Sequence, residues 1–309
     1  MNGQTEAAST AAGRDGGPPR VAERKLRVAL PNKGRLASSA LELLERAGLE
    51  PLMASERALR ADLGDDFTAL FVRARDIPEF VADGAADLGI TGSDLVAEAA
   101  RPVETLLPLG FGRCRLVLAG RDDAATDPAD LPDGVRIATS FPRTAERWFA
   151  ERGRRVTLVP VSGAAEIAPH LGVADVIVDL VSTGSTLKVN GLRELATIAD
   201  SEAVLVARPG LATGDRGRSV RELVAALESV LRANGKRYLM ANVPRAALPE
   251  LTRVLPGLNG PTIVDVMNAG EHVAAHAVVE AAAVYRTIAA LKELGAEGIL
   301  VTRIERLMP

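Results

Sequence analysis

One stretch of the chain, residues 166–187, constrains the fold more than any other. It reads EIAPHLGVADVIVDLVSTGSTL, and its middle is an apolar run from Ala174 to Leu180 that is interrupted only by Asp175 and Asp179. The length of this run and its β-branched residues predict a buried strand. We take this strand as the centre around which the rest of the chain is organised.

A small hydroxyl-rich loop, Ser182-Thr183-Gly184-Ser185-Thr186, follows the strand at once. The backbone N–H groups of a tight loop of this kind can converge on an anion, and the hydroxyl groups add further donors. Asp179 lies just before the loop, and its carboxylate can accept hydrogen bonds from the vicinal hydroxyls of a sugar. The pattern indicates a site for a ribose 5-phosphate, although an ordinary Ser/Gly turn explains a bare Thr-Gly-x-Thr better.

The composition excludes several classes of protein. A chain of 309 residues with 47% apolar and 25% charged residues is typical of a globular protein with two or three domains. Its 37 basic and 40 acidic residues give a net charge of −3, so no bulk attraction to nucleic acid is expected. The single cysteine, Cys114, excludes an internal disulfide, and its place beside an apolar run predicts a packed thiol.

The N-terminal residues 1–24 are rich in Ala, Gly, Ser, Thr and Pro. They lack the apolar core of a signal peptide, so we expect a disordered tail. The chain also has no apolar stretch near the roughly 18 residues that span a bilayer. These observations predict a cytoplasmic protein that makes no membrane contact.

Short strands alternate with short helices along most of the chain, which predicts mainly parallel sheet with helices on both faces. The expected strands are Leu26–Leu30, Phe67–Val72, Ala86–Thr91, Arg115–Ala119, Val135–Thr139, Val156–Val161 and Ala203–Val206. The expected helices are Leu36–Ala47, Ile77–Asp83, Arg143–Arg152, Ala164–Leu171 and Ser219–Arg232. The loops at Lys33, Thr91, Thr139 and Thr183 all follow strands, so they fall at the edge where such sheets bind ligands.

Residues 236–309 read as a separate unit after the turn at Asn234-Gly235. Their order is strand, helix, strand, strand, helix, strand, which is that of a ferredoxin-like fold. The unit contains no nucleophile and no acid–base cluster. It therefore suits binding or assembly better than catalysis.

Three blocks of sequence together resemble one family. Glu166, Gly172, Ala174, Ile177, Asp179, Thr183-Gly184 and Thr186-Leu187 stand at the spacing of the ATP phosphoribosyltransferase signature. PNKGRL at residues 31–36 and RARDIPEFVADGAADLGITGSDLV at residues 73–96 resemble the family's first two blocks. Leu180 follows Asp179, whereas many other phosphoribosyltransferases carry two adjacent acids there. The resemblance extends from Lys25 to near the C-terminus.

The resemblance implies an α/β protein with a two-lobed, periplasmic-binding-protein-like catalytic core and a C-terminal regulatory domain. Lobe I would comprise residues 25–113 and 203–233, lobe II residues 114–202, and the regulatory domain residues 236–309. The implied reaction transfers the 5-phosphoribosyl group of phosphoribosyl pyrophosphate to N1 of ATP and releases pyrophosphate. It is the first step of histidine biosynthesis and depends on Mg²⁺, for which no protein ligand is assigned.

The resemblance also implies roles for particular residues. Asp179 and Arg73 would be catalytic, and phosphoribosyl pyrophosphate would be bound by Glu166, Asp179, Ser182, Thr183, Gly184, Ser185 and Thr186. The nucleotide or pyrophosphate would lie near Lys33, Arg35, Arg73, Thr91 and Gly92. The long form of the family binds histidine as a feedback inhibitor in its last domain, where Asn242 and Thr262 are the candidates. A homo-oligomer, either a dimer or a hexamer, is expected.

Two other functions stay open at this point. A two-lobed fold with anion-binding loops also suits a non-catalytic module that binds a small molecule. A phosphoribosyltransferase that acts on another base would carry the same loop. Release of pyrophosphate separates the first alternative from an enzyme, and comparison of several acceptors separates the second.

Overall fold

The computed structural model of the protein describes residues 24–52, 58–123, 127–267 and 270–308. These residues form three sheets of six, five and four strands, which we call the sheets of lobe I, lobe II and the C-terminal unit. The tail expected at residues 1–24 lies outside the described residues as far as residue 23. Arg24 is an exception to that expectation, because its guanidinium donates to both carboxylate oxygens of the buried Asp87, at 3.1 and 3.2 Å.

Lobe I begins with strands and helices that alternate along the chain. They are β1 (Leu26–Pro31), α1 (Ala37–Arg46), β2 (Arg60–Leu63), β3 (Phe67–Val72), α2 (Ile77–Ala82), β4 (Leu88–Gly92), α3 (Ser93–Ala99) and β5 (Glu104–Pro108). β1 pairs in parallel with β3 on one side and with β4 on the other. The loops that follow these three strands therefore lie at one edge of the sheet.

Lobe II is the continuous segment between two crossings of the chain. Its elements are β6 (Cys114–Arg121), β7 (Arg136–Thr139), α4 (Pro142–Ala150), β8 (Thr157–Pro160), β9 (Val176–Val181), α5 (Ser185–Val189) and β10 (Leu192–Ser201). β9 lies in the middle of the order β10-β6-β9-β7-β8. Val178 packs in the apolar cluster on one face of the sheet and Ile177 in the cluster on the other. The expected buried strand is confirmed.

The chain then returns to lobe I. β11 (Ala203–Ala207) inserts between β4 and β5 and is antiparallel to both. α6 (Gly217–Ala233) follows, and its residues Val220, Leu223, Leu227 and Val230 belong to the lobe I core. Two lobes joined by two crossings are the architecture that the resemblance implies.

The C-terminal unit consists of β12 (Lys236–Pro244), α7 (Leu248–Val254), β13 (Thr262–Asp265), β14 (His272–Glu280), α8 (Val284–Glu293) and β15 (Glu297–Arg303). The sheet order is β13-β14-β12-β15, and each pair is antiparallel. The expected ferredoxin-like fold is confirmed. Near the end of the chain, the N–H of Leu307 donates to the carbonyl of Ser229 in α6 at 2.9 Å, so the unit is fastened to lobe I.

Some expectations about local structure are wrong. The helix expected over residues 164–171 is reduced to a 3₁₀ turn at Ala165–Ile167, because Ala164 before it is left-handed and Pro169 within it has no N–H to donate. The strands β2, β5 and β10 and the short helix α5 were not expected. Among the described residues, no helix has the length and apolar character needed to cross a membrane.

Candidate active site

The loop after β9 borders a small cavity of about 170 Å³. It is lined by Glu166, Asp179, Leu180, Val181, Ser182, Thr183, Gly184, Thr186 and Leu187. The structure thus brings the acid, the glycine and the hydroxyl groups of the sequence motif together. Only Ser185 of the predicted phosphate loop is not in this lining.

Ser185 nevertheless belongs to the loop through its hydroxyl group. Its Oγ lies 2.9 Å from Oγ1 of Thr183, and both side chains are exposed. Gly184 between them adopts φ +78°, and a Cβ there would meet only Val181, at 3.9 Å. The glycine is therefore required by the left-handed backbone and not by a lack of space. This conformation turns the chain from β9 into α5.

Asp179 is half-buried near the end of β9, and its Oδ1 accepts the N–H of Leu180 at 2.7 Å. Burial raises the pKa of the Asp179 carboxyl above its ordinary value of 3.8, the Leu180 N–H partly opposes this, and the nearby charge of Glu166 raises the pKa further. A carboxylate that is poorly solvated and faces a second acid gains from hydroxyl donors or a cation. The diol of a ribose supplies such donors.

Glu166 is placed by an unusual backbone conformation. Ala164, two residues earlier, has φ +51°, which is uncommon for a residue with a Cβ. The turn at Ala165–Ile167 starts from it and carries Glu166 into the cavity of Asp179. Nothing in the sequence indicated the left-handed conformation at Ala164, because such a conformation is normally expected at a glycine.

On lobe I, Lys33 and Arg73 are exposed and follow two neighbouring strands. β1 and β3 are parallel with Pro31 opposite Val72, so both cations emerge just past the same edge. The N–H of Asn32 donates to the carbonyl of Val72 at 2.8 Å and holds the two loops together. The backbone therefore places Lys33 and Arg73 on adjacent loops at this edge.

Thr91 and Gly92, which are expected near the nucleotide or pyrophosphate, make contacts inside lobe I. Thr91 is fully buried in β4, and its hydroxyl donates to the carbonyl of Ala74 at 2.7 Å. Gly92 is also buried, and a Cβ there would overlap Oδ1 of Asp94. Thr91 therefore fixes the turn that follows Arg73, and Gly92 makes room for Asp94.

Arg35, which is also expected near the nucleotide or pyrophosphate, is held in a network at the crossings between the lobes. Its Nη2 lies 3.5 Å from Oδ2 of Asp94, and its Nη1 donates to the carbonyl of Gly112. The Asp94 carboxylate, which is 1% exposed, accepts the hydroxyl of Ser201 at 2.6 Å. Sequence reasoning missed this network since its members are far apart in the chain.

A second cavity of about 450 Å³ lies beside this network. It extends from Ser93 on lobe I to Ser182 at the start of the phosphate loop, with Arg113 and Arg115 among its lining residues. Its volume is in the range of small-molecule sites. Burial is the largest influence on the Cys114 thiol in its wall, and it raises the pKa of that thiol, as a packed cysteine requires.

The candidate effector residues lie on one face of the C-terminal sheet. Thr262 is opposite His276, Asn242 is opposite Ala274, and the hydroxyl of Tyr238 is 2.9 Å from Nδ1 of His276. Thr262 and Asn242 are two strands and two residues apart, which is a separation of about 12 Å. They share a surface without touching.

Among the described residues, no group of three or more His, Cys, Asp or Glu side chains is arranged to hold a metal ion.

The fold and the site define a two-lobed α/β protein with a cavity lined by acids and hydroxyl groups in one lobe and exposed cations on the other. The family model for ATP phosphoribosyltransferase matches residues 73–229, and that for the HisG C-terminal domain matches residues 233–306. The chain belongs to the ATP phosphoribosyltransferase family.

Individual relatives agree with this assignment. The ATP phosphoribosyltransferase of Gemmatimonas aurantiaca is 58% identical over 291 residues, which covers 92% of this chain and all of the relative. The enzyme of that name from Natronomonas pharaonis is 48% identical with the same coverage. Among solved structures, the ATP phosphoribosyl transferase (HisG:HisZ) complex from Thermotoga maritima contains a similar chain. It is 30% identical with a TM-score of 0.58, and the match covers 66% of this chain and 98% of that one.

Proposed function

We propose that this protein transfers the 5-phosphoribosyl group of phosphoribosyl pyrophosphate to N1 of ATP and releases pyrophosphate, as the first step of histidine biosynthesis. The observation that carries this proposal is the cavity that joins Asp179 and Glu166 to the hydroxyl-glycine loop in a member of this family. Its size and donors suit a ribose 5-phosphate. The larger cavity beside it offers room for the acceptor.

The loop anchors the 5-phosphate in the proposed reaction. Backbone N–H groups of residues 182–187 and the hydroxyls of Thr183, Ser185 and Thr186 donate to its oxygens. Asp179 accepts hydrogen bonds from the ribose hydroxyls, and its negative charge stabilises C1 as this carbon gains oxocarbenium character. Glu166 faces the same sugar from the other wall. Lobe II therefore binds the group that is transferred.

Little acid–base chemistry is required. N1 of adenine already carries a lone pair, so the attack on C1 needs no general base, and catalysis is mainly positioning and charge stabilisation. Lys33 and Arg73 on lobe I would neutralise the leaving pyrophosphate. Arg35, Thr91 and Gly92 act indirectly, since Arg35 and Gly92 support Asp94 and Thr91 supports the turn after Arg73.

A Mg²⁺ ion fits this arrangement. When bound, it would neutralise charge on the diphosphate, a task for which oxygen ligands are suited. The negative charges of Glu166 and Asp179 repel each other. A cation carried by the substrate would reduce this repulsion. The same two residues remain available to the sugar hydroxyls.

Three further properties belong to the proposal. We expect histidine to bind the C-terminal unit near Thr262 and Asn242 and to inhibit the enzyme. We expect a homo-oligomer, a dimer or a hexamer. We expect the protein to act in the cytoplasm.

The proposal is tested by measuring pyrophosphate release from phosphoribosyl pyrophosphate with ATP, GTP, free adenine or no acceptor. Release that requires ATP is the expected result. Release with free adenine but not with ATP would assign the protein to another base. If the protein binds phosphoribosyl pyrophosphate tightly but releases no pyrophosphate with any acceptor, it would instead be a non-catalytic binding module.

A further inference from the structure

Glu98, near the end of α3, contacts the other lobe through both oxygens of its carboxylate. Its Oε1 accepts the backbone N–H of Arg143 at 3.0 Å. Its Oε2 accepts both the N–H and the hydroxyl of Thr144, at 2.9 and 2.8 Å. One carboxylate from lobe I thus receives three hydrogen bonds from lobe II.

These donors belong to the first turn of α4, which starts at Pro142. The N–H groups of a first turn have no partner within their own helix, and the helix dipole favours a negative charge there. The contact is reciprocal, because Nη1 of Arg143 donates to the carbonyl of Ala99 at 2.6 Å, at the end of α3. Each helix therefore satisfies the free groups of the other.

The rest of α3 is also fastened to lobe II. At its start, the N–H of Asp94 donates to Oγ of Ser201 at 3.1 Å. One residue later, Leu95 packs against the lobe II cluster that contains Leu116 and Ile137. Contacts at the start, middle and end of the helix attach it to lobe II, although the strand before it, β4, belongs to the lobe I sheet.

This attachment lies at the edge where ligands bind. α4 follows β7, and the carbonyl of Ser140 between them accepts Nη2 of Arg75 at 3.0 Å. Arg75 is two residues beyond Arg73, on the lobe I loop that carries the proposed catalytic cation. The Glu98 contact and the Arg75 contact thus join the rims of the two lobes at α4 and its preceding loop.

We propose that Glu98 is a positioning residue that sets the separation between the phosphoribosyl loop of lobe II and the cations of lobe I. It lines neither the cavity of Asp179 nor the larger cavity beside it. Its carboxylate fixes α4, and with it the loop after β7, against α3. Loss of the carboxylate would let the lobes sample wider separations, so that the sugar and the leaving group are held together less often.

The first measurement is structural and independent of activity. Spin labels on cysteines introduced at exposed Glu50 of lobe I and exposed Glu151 of lobe II report the distance between the lobes in the full chain. The native Cys114 is buried, which favours labelling of the introduced sites. We expect Glu98→Ala to broaden the distance distribution towards longer values. Glu146→Ala, an exposed acid on α4, is the matched control and should leave it unchanged.

The second measurement is kinetic and rests on the proposed function. Since small misplacements of reacting groups are costly, Glu98→Ala should lower kcat/KM by about 10–100-fold. Glu98→Gln keeps an oxygen acceptor and should recover part of this loss. If the unaltered protein releases no pyrophosphate, the proposed function fails, while the distance measurement still decides the role of Glu98.

An unchanged distance distribution in a folded Glu98→Ala protein would overturn the proposal and leave Glu98 as a helix cap alone. A lower melting temperature with unchanged distances would overturn it as well. If Glu98→Ala does not fold, Thr144→Val removes only the hydroxyl donor of this contact. That variant should broaden the distribution to a smaller extent, and an unchanged distribution would again reject the positioning role.

Discussion

The hydroxyl of Ser201 donates a 2.6 Å hydrogen bond to Oδ1 of Asp94, 107 residues earlier in the chain. Ser201 stands where the chain leaves lobe II, and Asp94 opens α3 beside the other crossing. The second oxygen, Oδ2, is buried and has only the guanidinium of Arg35 nearby, at 3.5 Å, among the described residues. The network therefore depends on Arg35 for its charge balance.

Arg35→Ala should lower the free energy of unfolding by about 1–3 kcal/mol, because it leaves the Asp94 charge buried without a counterion. Lys33→Ala is the matched control, since Lys33 is exposed in the same loop. It should leave the melting temperature unchanged and lower kcat, because Lys33 would neutralise the leaving pyrophosphate. Thermal unfolding and pyrophosphate release measure the two effects. Equal melting temperatures for both variants would remove Arg35 from the network.

Asp179→Asn should reduce turnover strongly. The substitution keeps the shape of the side chain and removes the charge that faces the ribose hydroxyls and the developing cation. We expect a loss of about 2–4 kcal/mol in transition-state stabilisation, as for other single preorganised groups. The measurement is kcat/KM for pyrophosphate release. Turnover near that of the unaltered protein would exclude Asp179 from the mechanism.

The same variant should become more stable at neutral pH. The pKa of Asp179 in the folded protein lies above 3.8, so as the pH rises past that value the unfolded chain loses this proton first. Ionisation then favours the unfolded state, and the resulting loss of stability persists above the folded pKa. An asparagine in its place cannot ionise, so the Asp179→Asn variant should melt at a higher temperature than the unaltered protein at pH 7 and at a similar temperature below pH 3.8.

Gly184→Ala tests the left-handed turn of the phosphate loop. Alanine at φ +78° costs about 1–2 kcal/mol, and the chain can relieve this only by moving the loop N–H groups. We expect a higher KM for phosphoribosyl pyrophosphate with little change in the KM for ATP. Gly184→Asn is the control, because asparagine tolerates this conformation better than alanine. Its KM for phosphoribosyl pyrophosphate should lie between those of the unaltered protein and the alanine variant. An alanine variant with normal KM values would contradict the anion-binding role of the loop.

Deletion of residues 1–23 should leave activity and melting temperature nearly unchanged, because this composition cannot bury an apolar core. Deletion of residues 1–24 also removes the guanidinium that donates to Asp87. Asp87 keeps Arg208 and the N–H of Arg27, so the further loss should be at most about 1 kcal/mol. A large effect of the shorter deletion would show that the tail docks on the protein.

Histidine should inhibit the full-length protein, and Thr262→Ala should weaken this inhibition. A coupling free energy of about 1–3 kcal/mol between the effector and active sites is the expected scale. Thr302→Ala is the control, since Thr302 is exposed opposite Tyr238, on the strand at the other edge of the same sheet. Titration of activity with histidine compares the three proteins. Equal inhibition of all three would exclude Thr262, and no inhibition of any would reject the regulatory proposal.

The sequence predicts those parts of the site whose residues are neighbours in the chain. β9 and its loop could be recognised because the apolar run, Asp179 and the glycine follow one another. The Asp94–Ser201 bond could not, because it depends on how two crossings meet in space. Ala164 carried no signal, since its side chain gives no reason to expect φ +51°. The buried position of Thr91 was missed because the end of a strand does not reveal whether its last hydroxyl faces a ligand or a neighbouring turn.

The insertion of β11 between β4 and β5 has a consequence for the protein as it leaves the ribosome. Lobe II is one uninterrupted segment, β6 to β10, and it is complete once residue 201 has emerged. The lobe I sheet still lacks β11 at that moment, although its strands β1 to β5 precede lobe II in the chain. Domains generally fold as units during synthesis. We therefore expect lobe II to assemble before lobe I. Until β11 has been synthesised, the edges of β4 and β5 that it pairs with stay open.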